Sequence, residues 1–345
     1  MKVPRWQLII SSLLSLTILA VVIVKRHEIL SALALARNAE PFWLGAAVAL
    51  TLFGFFCTSL VYDVGLRALG RRAGNALWLW GVTIVCLIVS QSIPAGGVAG
   101  YTFLARQLQR KGVPGGEAGL LASLEAVSFV AAMVLMFCYA LVYLTVRSGI
   151  GAAEDISLAA GLIALAVIGV AVFLLTRSHG ALLRWMLALK DAVARVLRID
   201  ISDEPIHRVV AEVANGRNMV AARPWLLGLL VVCQLLGQIV QSMAMWLVLY
   251  SLGVVVSPQV VIASFGVVLI TSMFNALPGG GGTVEAALAL MLQGLGVGAE
   301  AIPASVIFRL INYWMMLPVA GLAYVLVTRG GPVAAAAPEP EASVE

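Results

Sequence analysis

The sequence predicts an all-α polytopic membrane protein with about eight transmembrane helices and two re-entrant segments in two internal repeats. Two observations predict this fold. The 345 residues are 61% hydrophobic and only 11% charged, whereas soluble domains carry about 25% charged residues. In addition, a proline followed by glycines interrupts the apolar sequence twice, and the two prolines lie 184 positions apart (278 − 94). This composition leaves no room for a sizeable soluble domain, and no nucleic-acid-binding motif is present.

Apolar runs of membrane-crossing length divide the chain into spans, because about 20 helical residues cross roughly 30 Å of hydrocarbon. The segments after the two interruptions, at 97–110 and 283–294, are helical in pattern but too short to cross. We therefore expect re-entrant or interfacial helices there. The predicted spans lie near 7–24, 41–62, 76–93, 118–146, 157–176, 224–252, 259–277 and 303–327.

These spans form a single predicted transmembrane domain over residues 1–330. The interval 177–223 is basic and amphipathic, and it places Leu182, Trp185 and Leu189 on one helical face. This pattern is typical of a helix that lies in the head-group plane. A connector that covers the bundle and a lipid-sensing helix fit the pattern equally well. The composition of residues 331–345 predicts a disordered tail.

The two interruptions belong to an internal repeat with cores at about 76–146 and 259–328. At an offset of 184, nine of the twenty positions from Pro94 to Val113 are identical to their counterparts. Backbone groups freed by such breaks need partners inside protein or in a wet cavity. Matching interruptions in two repeats are the best sequence pointer to a transporter binding site. The residues of the two breaks are Pro94, Gly96, Gly97, Pro278, Gly279, Gly280 and Gly281.

Ionisable residues within the apolar segments are candidates for function, because each costs about 2.5–3.5 kcal/mol to insert. Glu125 and Arg309 occupy equivalent positions of the two repeats, and Glu285 follows the second break. We expect Glu125 and Arg309 to form an ion pair. This pair either lines a polar cavity between the repeats or locks the repeats together as a static bridge. The polar residues expected in the same cavity are Gln91, Asn275 and Asn312.

The predicted cavity suits an anionic group. Helices that begin after the glycine breaks direct backbone N–H groups toward it, and Arg309 adds a bidentate phosphate donor. Gln234, Gln238 and Gln241 share one face of the sixth span, where we favour hydrogen bonds between helices. The three histidines lie far apart, and the four cysteines sit in apolar spans. We therefore expect neither a metal nor a cofactor.

The second interruption resembles the motif of a known family. The stretch Leu-Pro-Gly-Gly-Gly-Gly-Thr-Val-Glu-Ala at 277–286, followed by 296–297 and 308–310, is similar to a motif of the lysylphosphatidylglycerol synthase transmembrane-region family. Residues 93–125 resemble an earlier motif of that family, and the resemblance covers nearly all of residues 5–328. The residues that it carries over are Pro94, Gly97, Glu125, Pro278, Gly280, Glu285 and Arg309.

The first motif departs from the family pattern. Val98 and Tyr101 stand where the family has an acid, and Arg106 comes later than the usual basic residue. Ala126 replaces a commonly basic neighbour of Glu125. Family members that aminoacylate lipids carry an additional soluble domain, which this sequence does not show. We therefore expect a protein that is not an enzyme.

The resemblance implies a multi-pass, flippase-like transporter in the bacterial inner membrane, which moves a phosphate-bearing, isoprenoid or hopanoid-type lipid between leaflets. Its expected partner is a membrane lipid, anionic or isoprenoid, and not a nucleic acid. Two other functions remain open. One is a non-transporting accessory protein of envelope lipid or glycolipid synthesis, which would bind envelope-biosynthesis enzymes. The other, less favoured, is a membrane-embedded lipid-modifying transferase, because no catalytic motif supports it.

Overall fold

The computed structural model describes residues 39–72, 74–92, 96–148, 224–273 and 283–329, together with positions 37, 184 and 187. Every regular element in these ranges is a helix, which confirms the all-α fold. The predicted spans near 7–24 and 157–176, almost all of the linker 177–223 and the tail 331–345 lie outside the described residues. Described helices that are long and apolar enough to cross a membrane cover Pro41–Ala68, Gly115–Arg147, Trp225–Ser251 and Gly298–Arg329.

The described helices fall into two units of the same order. In each unit a long helix is followed by two shorter helices separated by the glycine break, and then by a second long segment. The first unit consists of α1 (Pro41–Ala68), α2 (Ala76–Ser92), α3 (Gly96–Arg110) and α4 (Gly115–Ser148).

The second unit repeats this order and interrupts its last segment. A short 3-10 turn (Gly298–Glu300) precedes that segment, and a π-helix (Leu310–Trp314) divides it. The helices of the second unit are α5 (Pro224–Ser251), α6 (Pro258–Met273), α7 (Thr283–Gly294), α8 (Ala301–Arg309) and α9 (Met316–Arg329). Each unit therefore contains one more helix, α1 or α5, than the repeat cores at 76–146 and 259–328.

The ends of equivalent helices have the same backbone geometry. α3 and α7 end on glycines with positive φ, Gly112 at 84° and Gly296 at 93°. In both, the next N–H donates back to the helix, from Val113 to the Leu108 carbonyl (3.1 Å) and from Val297 to the Leu292 carbonyl (3.0 Å). This is the Schellman arrangement, in which glycine accepts the left-handed conformation without a Cβ clash. The sequence identity at these positions therefore reflects a shared helix end.

The two units have opposite orientations, because α1 and α5 are equivalent helices that pack antiparallel. At one end of the pair, the Glu40 N–H donates to the Ser251 carbonyl at 2.8 Å. At the other end, Val61 near the end of α1 packs with Leu226 and Leu230 at the start of α5. Small residues permit the close approach, since a Cβ on Gly237 would lie 3.0 Å from the Thr58 hydroxyl. The repeats are therefore inverted.

In the first unit, α2 and α3 form a helical hairpin, hairpin 1. The Lys111 ammonium after α3 lies 5.3 Å from the centre of the Trp78 ring at the start of α2. Near the break, a Cβ on Gly100 would overlap the Ser90 side chain. α3 thus runs back along α2, and the chain leaves near the point where it entered. We call this end of the bundle the hairpin 1 end; Arg71 after α1 and Glu117 in α4 also meet there, at 2.9 Å.

α6 and α7 form the equivalent hairpin 2 at the opposite end of the bundle. The indole N–H of Trp246, near the end of α5, donates to the Val256 carbonyl just before α6 (2.7 Å). The Arg147 guanidinium, at the end of α4, donates to the Leu295 carbonyl after α7 (3.0 Å). We call this end the hairpin 2 end. The two re-entrant segments that the sequence predicts are thus hairpins that enter from opposite ends.

The predicted spans near 76–93 and 259–277 are the first arms of these hairpins. α2 has 17 residues and α6 has 16, so each is about 25 Å long. Hydropathy reports that such a segment lies in hydrocarbon, but it does not report at which end the chain leaves. The re-entrant segments therefore comprise two helices each, where the sequence indicated one.

Each hairpin packs on the last segment of the other unit. α2 lies against α9, where a Cβ on Gly81 would be 3.0 Å from the Val327 side chain. α6 lies against α4, where a Cβ on Gly266 would overlap the Met136 carbonyl oxygen. Backbone contact this close requires glycine, as in other membrane helix pairs. Because each hairpin packs on the other unit, the two units form one core.

We predict that Gly266→Ala loosens the contact between α6 and α4. The added methyl has no room beside Met136 and Ala140, so we expect a loss of about 1–3 kcal/mol in the free energy of unfolding. The measurement is the apparent Tm of the purified protein in detergent. Gly321→Ala on α9 is the matched control, because nothing lies within 4 Å of its Cβ position. Equal Tm values for wild type and Gly266→Ala would contradict the packing.

Candidate functional site

Arg309 contacts both hairpins beside their glycine breaks, at the last turn of α2 and the first turn of α7, which we call the hairpin tips. Its Nη1 group donates to the Gln91 side-chain oxygen at 3.3 Å, and Gln91 is next to the last residue of α2. Its Nε atom lies 3.0 Å from Glu285 Oε1, in the first turn of α7. The exposed fractions of the Arg309 and Glu285 side chains are only 12% and 18%. One largely buried cation therefore contacts both hairpins.

The π-helix after Arg309 places a second side chain on hairpin 1. Its widened turn is closed by the Met315 N–H, which donates to the Leu310 carbonyl at 2.8 Å. The Tyr313 ring lies under the Arg309 guanidinium at 4.5 Å, in a cation–π contact. The Tyr313 hydroxyl shares a hydrogen bond of 3.0 Å with Ser92, the last residue of α2. π-bulges occur frequently at functional sites, and this one contacts the last residue of α2 through the hydrogen bond between Tyr313 and Ser92.

The Arg309–Glu285 pair is close but not fully hydrogen-bonded. The Nε–Oε1 distance is that of an ion pair, yet this contact lacks the geometry of a hydrogen bond. The Glu285 Oε2 atom is buried and has no hydrogen-bond partner in the part of the chain described. A buried carboxylate oxygen normally accepts a donor from protein or water. The site can therefore accept a further donor at Glu285.

A second buried polar cluster surrounds Glu125 in the first unit. The Tyr101 hydroxyl on α3 donates to Glu125 Oε2. The Gln234 amide on α5 donates to Glu125 Oε1 at 3.2 Å. Glu125 is 4% exposed, so these two donors take the place of water around the carboxyl group. The cluster fixes α3 and α5 to α4.

The predicted ion pair between Glu125 and Arg309 is wrong. At the offset of 184, Tyr101 corresponds to Glu285, and Glu125 corresponds to Arg309. In each unit the return helix of the hairpin therefore contacts the last segment of the same unit through this residue pair. Equivalent residues in the two repeats need not touch each other, and here each one finds its partner within its own unit. Sequence reasoning missed Tyr101, although the repeat offset from Glu285 points to it.

Asn312 belongs to a different contact between the units. Its side-chain amide donates to Gln241 at 2.8 Å, and the Gln241 amide donates to the Thr51 carbonyl at 3.2 Å. This chain of hydrogen bonds joins the π-helix to α5 and α1, as expected for the glutamines of that span.

Gly96 and Gly97 form the first turn of α3. Candidate residues outside the described ranges are Asn275, Pro94, Pro278, Gly279, Gly280 and Gly281.

The described residues hold no group of three or more His, Cys, Asp or Glu side chains placed to bind a metal ion. The polar groups at the hairpin tips are instead a guanidinium, a carboxylate, an amide and two hydroxyls. A guanidinium binds phosphate or carboxylate oxygens with paired N–H groups. The arrangement is thus suited to reversible binding of an anionic group.

A comparison with protein families identifies one match. The family model described as "Lysylphosphatidylglycerol synthase TM region" matches residues 8–320. This interval contains both hairpins, Arg309 and the Glu125 cluster. No curated protein matches the chain. The family match and the four long apolar helices of the described ranges identify a multi-pass membrane protein related to lipid metabolism or transport.

We predict that the Arg309–Glu285 pair is energetically coupled. Arg309→Met leaves the Glu285 carboxylate buried without its cation, so we expect a loss of about 3–5 kcal/mol in the free energy of unfolding. Arg309→Met combined with Glu285→Met should recover much of that loss, because both charges are then absent. Unfolding of all four proteins in detergent measures the coupling.

The exposed pair Arg71–Glu117 is the matched control for this cycle, with its side chains 45% and 29% exposed. Arg71→Met and Glu117→Met should change stability much less, because water screens an exposed pair. Strictly additive effects of Arg309→Met and Glu285→Met would contradict the coupling.

Proposed function

Because the chain belongs to the lysylphosphatidylglycerol synthase TM region family, we propose that it is a flippase-like transporter of phosphate-bearing lipids in the bacterial inner membrane. The observation that carries this proposal is the contact of one buried arginine with both hairpin tips. Gln91 reaches Arg309 from hairpin 1 and Glu285 reaches it from hairpin 2. A lipid phosphate that binds here would be held between segments that enter from opposite ends.

Arg309 supplies what a phosphate needs to enter hydrocarbon. An isolated anion is strongly disfavoured there, and charge-assisted hydrogen bonds from a guanidinium offset part of that cost. Glu285 Oε1 lies 3.0 Å from Arg309 Nε, at the position that such an anion would take. A phosphate that makes paired hydrogen bonds with the guanidinium would compete with the Glu285 carboxylate for Arg309. The proposed exchange is therefore carboxylate for phosphate at Arg309.

The inverted repeats provide two related arrangements for this exchange. In transporters built from inverted repeats, the substrate site lies at the repeat interface, and the halves move against each other around it. Here each hairpin packs on the last segment of the opposite unit. A shift of hairpin 1 against α9 would open the site toward one end, and the equivalent shift of hairpin 2 against α4 would open it toward the other.

The same contacts favour transport over lipid modification. Glu125 and Glu285, the carboxylates of the two polar clusters, lie apart and each has its own partners. Reactions of the general acid–base type need groups that converge on one reacting centre. We therefore propose a function without catalysis, in which a phospholipid or a polyprenyl phosphate suits the arginine better than a hopanoid without phosphate.

We predict that the purified protein accelerates the exchange of fluorescent phosphatidylglycerol between the leaflets of proteoliposomes. Arg309→Ala should slow this exchange about ten-fold or more, the effect of losing charge-assisted hydrogen bonds to a phosphate. Arg309→Lys should give an exchange rate between those of wild type and Arg309→Ala, because lysine keeps the charge and loses the paired hydrogen-bond geometry. Fluorescence quenching by dithionite added outside measures the exchange.

Arg71→Ala is the control, since it removes an arginine at the hairpin 1 end, outside the hairpin tips. It should leave exchange unchanged. Exchange that is the same in wild type and folded Arg309→Ala would contradict the proposed site. If wild type exchanges neither phosphatidylglycerol nor a polyprenyl phosphate, the accessory function in envelope lipid synthesis becomes the better explanation.

A further inference from the structure

The two return helices, α3 and α7, carry different residues on the same outward face. Positions spaced four apart on a helix share one face. At the offset of 184, positions 102, 106 and 110 of α3 correspond to positions 286, 290 and 294 of α7, and all six residues are exposed. The residues are Thr102, Arg106 and Arg110 on α3, and Ala286, Leu290 and Gly294 on α7.

We call Thr102, Arg106 and Arg110 the basic stripe. Its two arginines lie about 6 Å apart along α3, next to the hairpin 1 end, where Lys111 covers Trp78, and Thr102 lies one further turn toward the hairpin tip. Tyr101 beside its inner end contacts Glu125. Tryptophan marks the membrane interface in many membrane proteins, so the stripe leads from the interface into the bilayer.

The second unit shows that the fold does not require these charges. α7 has the same place in its hairpin and the same helix end as α3, yet its outward face is apolar, with Leu290 67% exposed. Arginine at membrane depth costs free energy that leucine does not. The basic stripe is therefore an addition to one hairpin, and its exposed guanidinium groups are suited to an anionic group.

The distribution of charge between the two ends indicates which leaflet supplies that group. Cytoplasmic ends of membrane proteins are enriched in Lys and Arg, and the anionic lipid head groups of that leaflet attract them. In the described part of the chain, the hairpin 2 end carries Arg37 and Arg147. The hairpin 1 end carries Arg67, Arg71, Arg72, Arg110, Lys111 and Arg329.

We propose that the basic stripe binds the phosphate of an anionic lipid in the cytoplasmic leaflet and guides its head group along hairpin 1. The inner end of the stripe lies near the hairpin tip, where Gln91 contacts Arg309. This inference rests on the proposed function and adds to it the leaflet and the route of entry. It also explains why the outward faces of α3 and α7 differ, because only hairpin 1 then binds anionic head groups.

The test measures lipid binding and not transport. The full chain is reconstituted in phosphatidylcholine nanodiscs with a small fraction of spin-labelled phosphatidylglycerol, and the motionally restricted fraction of the label is measured. Arg106→Leu combined with Arg110→Gly gives α3 the residues of α7. We expect the selectivity for phosphatidylglycerol over phosphatidylcholine to fall about five-fold for each arginine. Leu290→Arg on α7 should raise this selectivity, because it places a guanidinium on the equivalent face of hairpin 2.

Arg72→Leu removes one charge from the hairpin 1 end outside the stripe and serves as the charge-matched control. An equal fall in Arg72→Leu and Arg106→Leu would overturn the inference, because general surface charge would then explain binding. Unchanged selectivity in the folded double variant would overturn it too, even if wild type exchanges lipid. Conversely, stripe-dependent binding without lipid exchange by wild type would leave the inference standing and the transport proposal wrong.

Discussion

The whole structure depends on one constraint: backbone groups freed within the hydrocarbon region must find partners inside protein or in a water-filled cavity. The sequence places a Pro-Gly break between the two helices of each hairpin. In the described helices, each hairpin packs on the last segment of the opposite unit. The antiparallel contact of α1 and α5 follows the same plan, since it joins equivalent helices of two inverted units. The packing of each hairpin on the opposite unit joins the two repeats into one core.

The same constraint governs the buried charges. Glu125 receives hydrogen bonds from Tyr101 and Gln234, and Arg309 contacts Glu285, Gln91 and Tyr313. The two clusters occupy equivalent places and differ in what they can do. Around Glu125 both carboxylate oxygens are hydrogen-bonded, which suits a structural role. At Arg309 the ion pair contacts both hairpins, and we propose that this site opens.

Much of this arrangement is predictable from the sequence, and the rest has identifiable physical reasons. The repeat offset locates α3 and α7 to within one residue, because glycine and apolar spacing determine where those helices end. The offset also relates Tyr101 to Glu285. Because the resembling family has an acid near this position, the sequence indicates a departure from the motif at the tyrosine and not a partner of Glu125. The prediction of a Glu125–Arg309 ion pair is wrong because equivalent residues of two repeats need not be neighbours. The π-helix at 310–314 has no sequence pattern, since it depends on packing against the hairpin 1 tip.

The most direct test of the central claim, two hairpins entering from opposite ends, is the accessibility of single cysteines. In a chain without its native cysteines, Arg72→Cys and Lys111→Cys flank hairpin 1, and Val255→Cys and Ala299→Cys flank hairpin 2. A membrane-impermeant thiol reagent is added to intact cells and to inverted vesicles. The inverted-hairpin structure predicts that the first two positions react from one side and the last two from the other. Reaction of Arg72→Cys and Lys111→Cys from opposite sides would show that the chain crosses between them, which contradicts the hairpin.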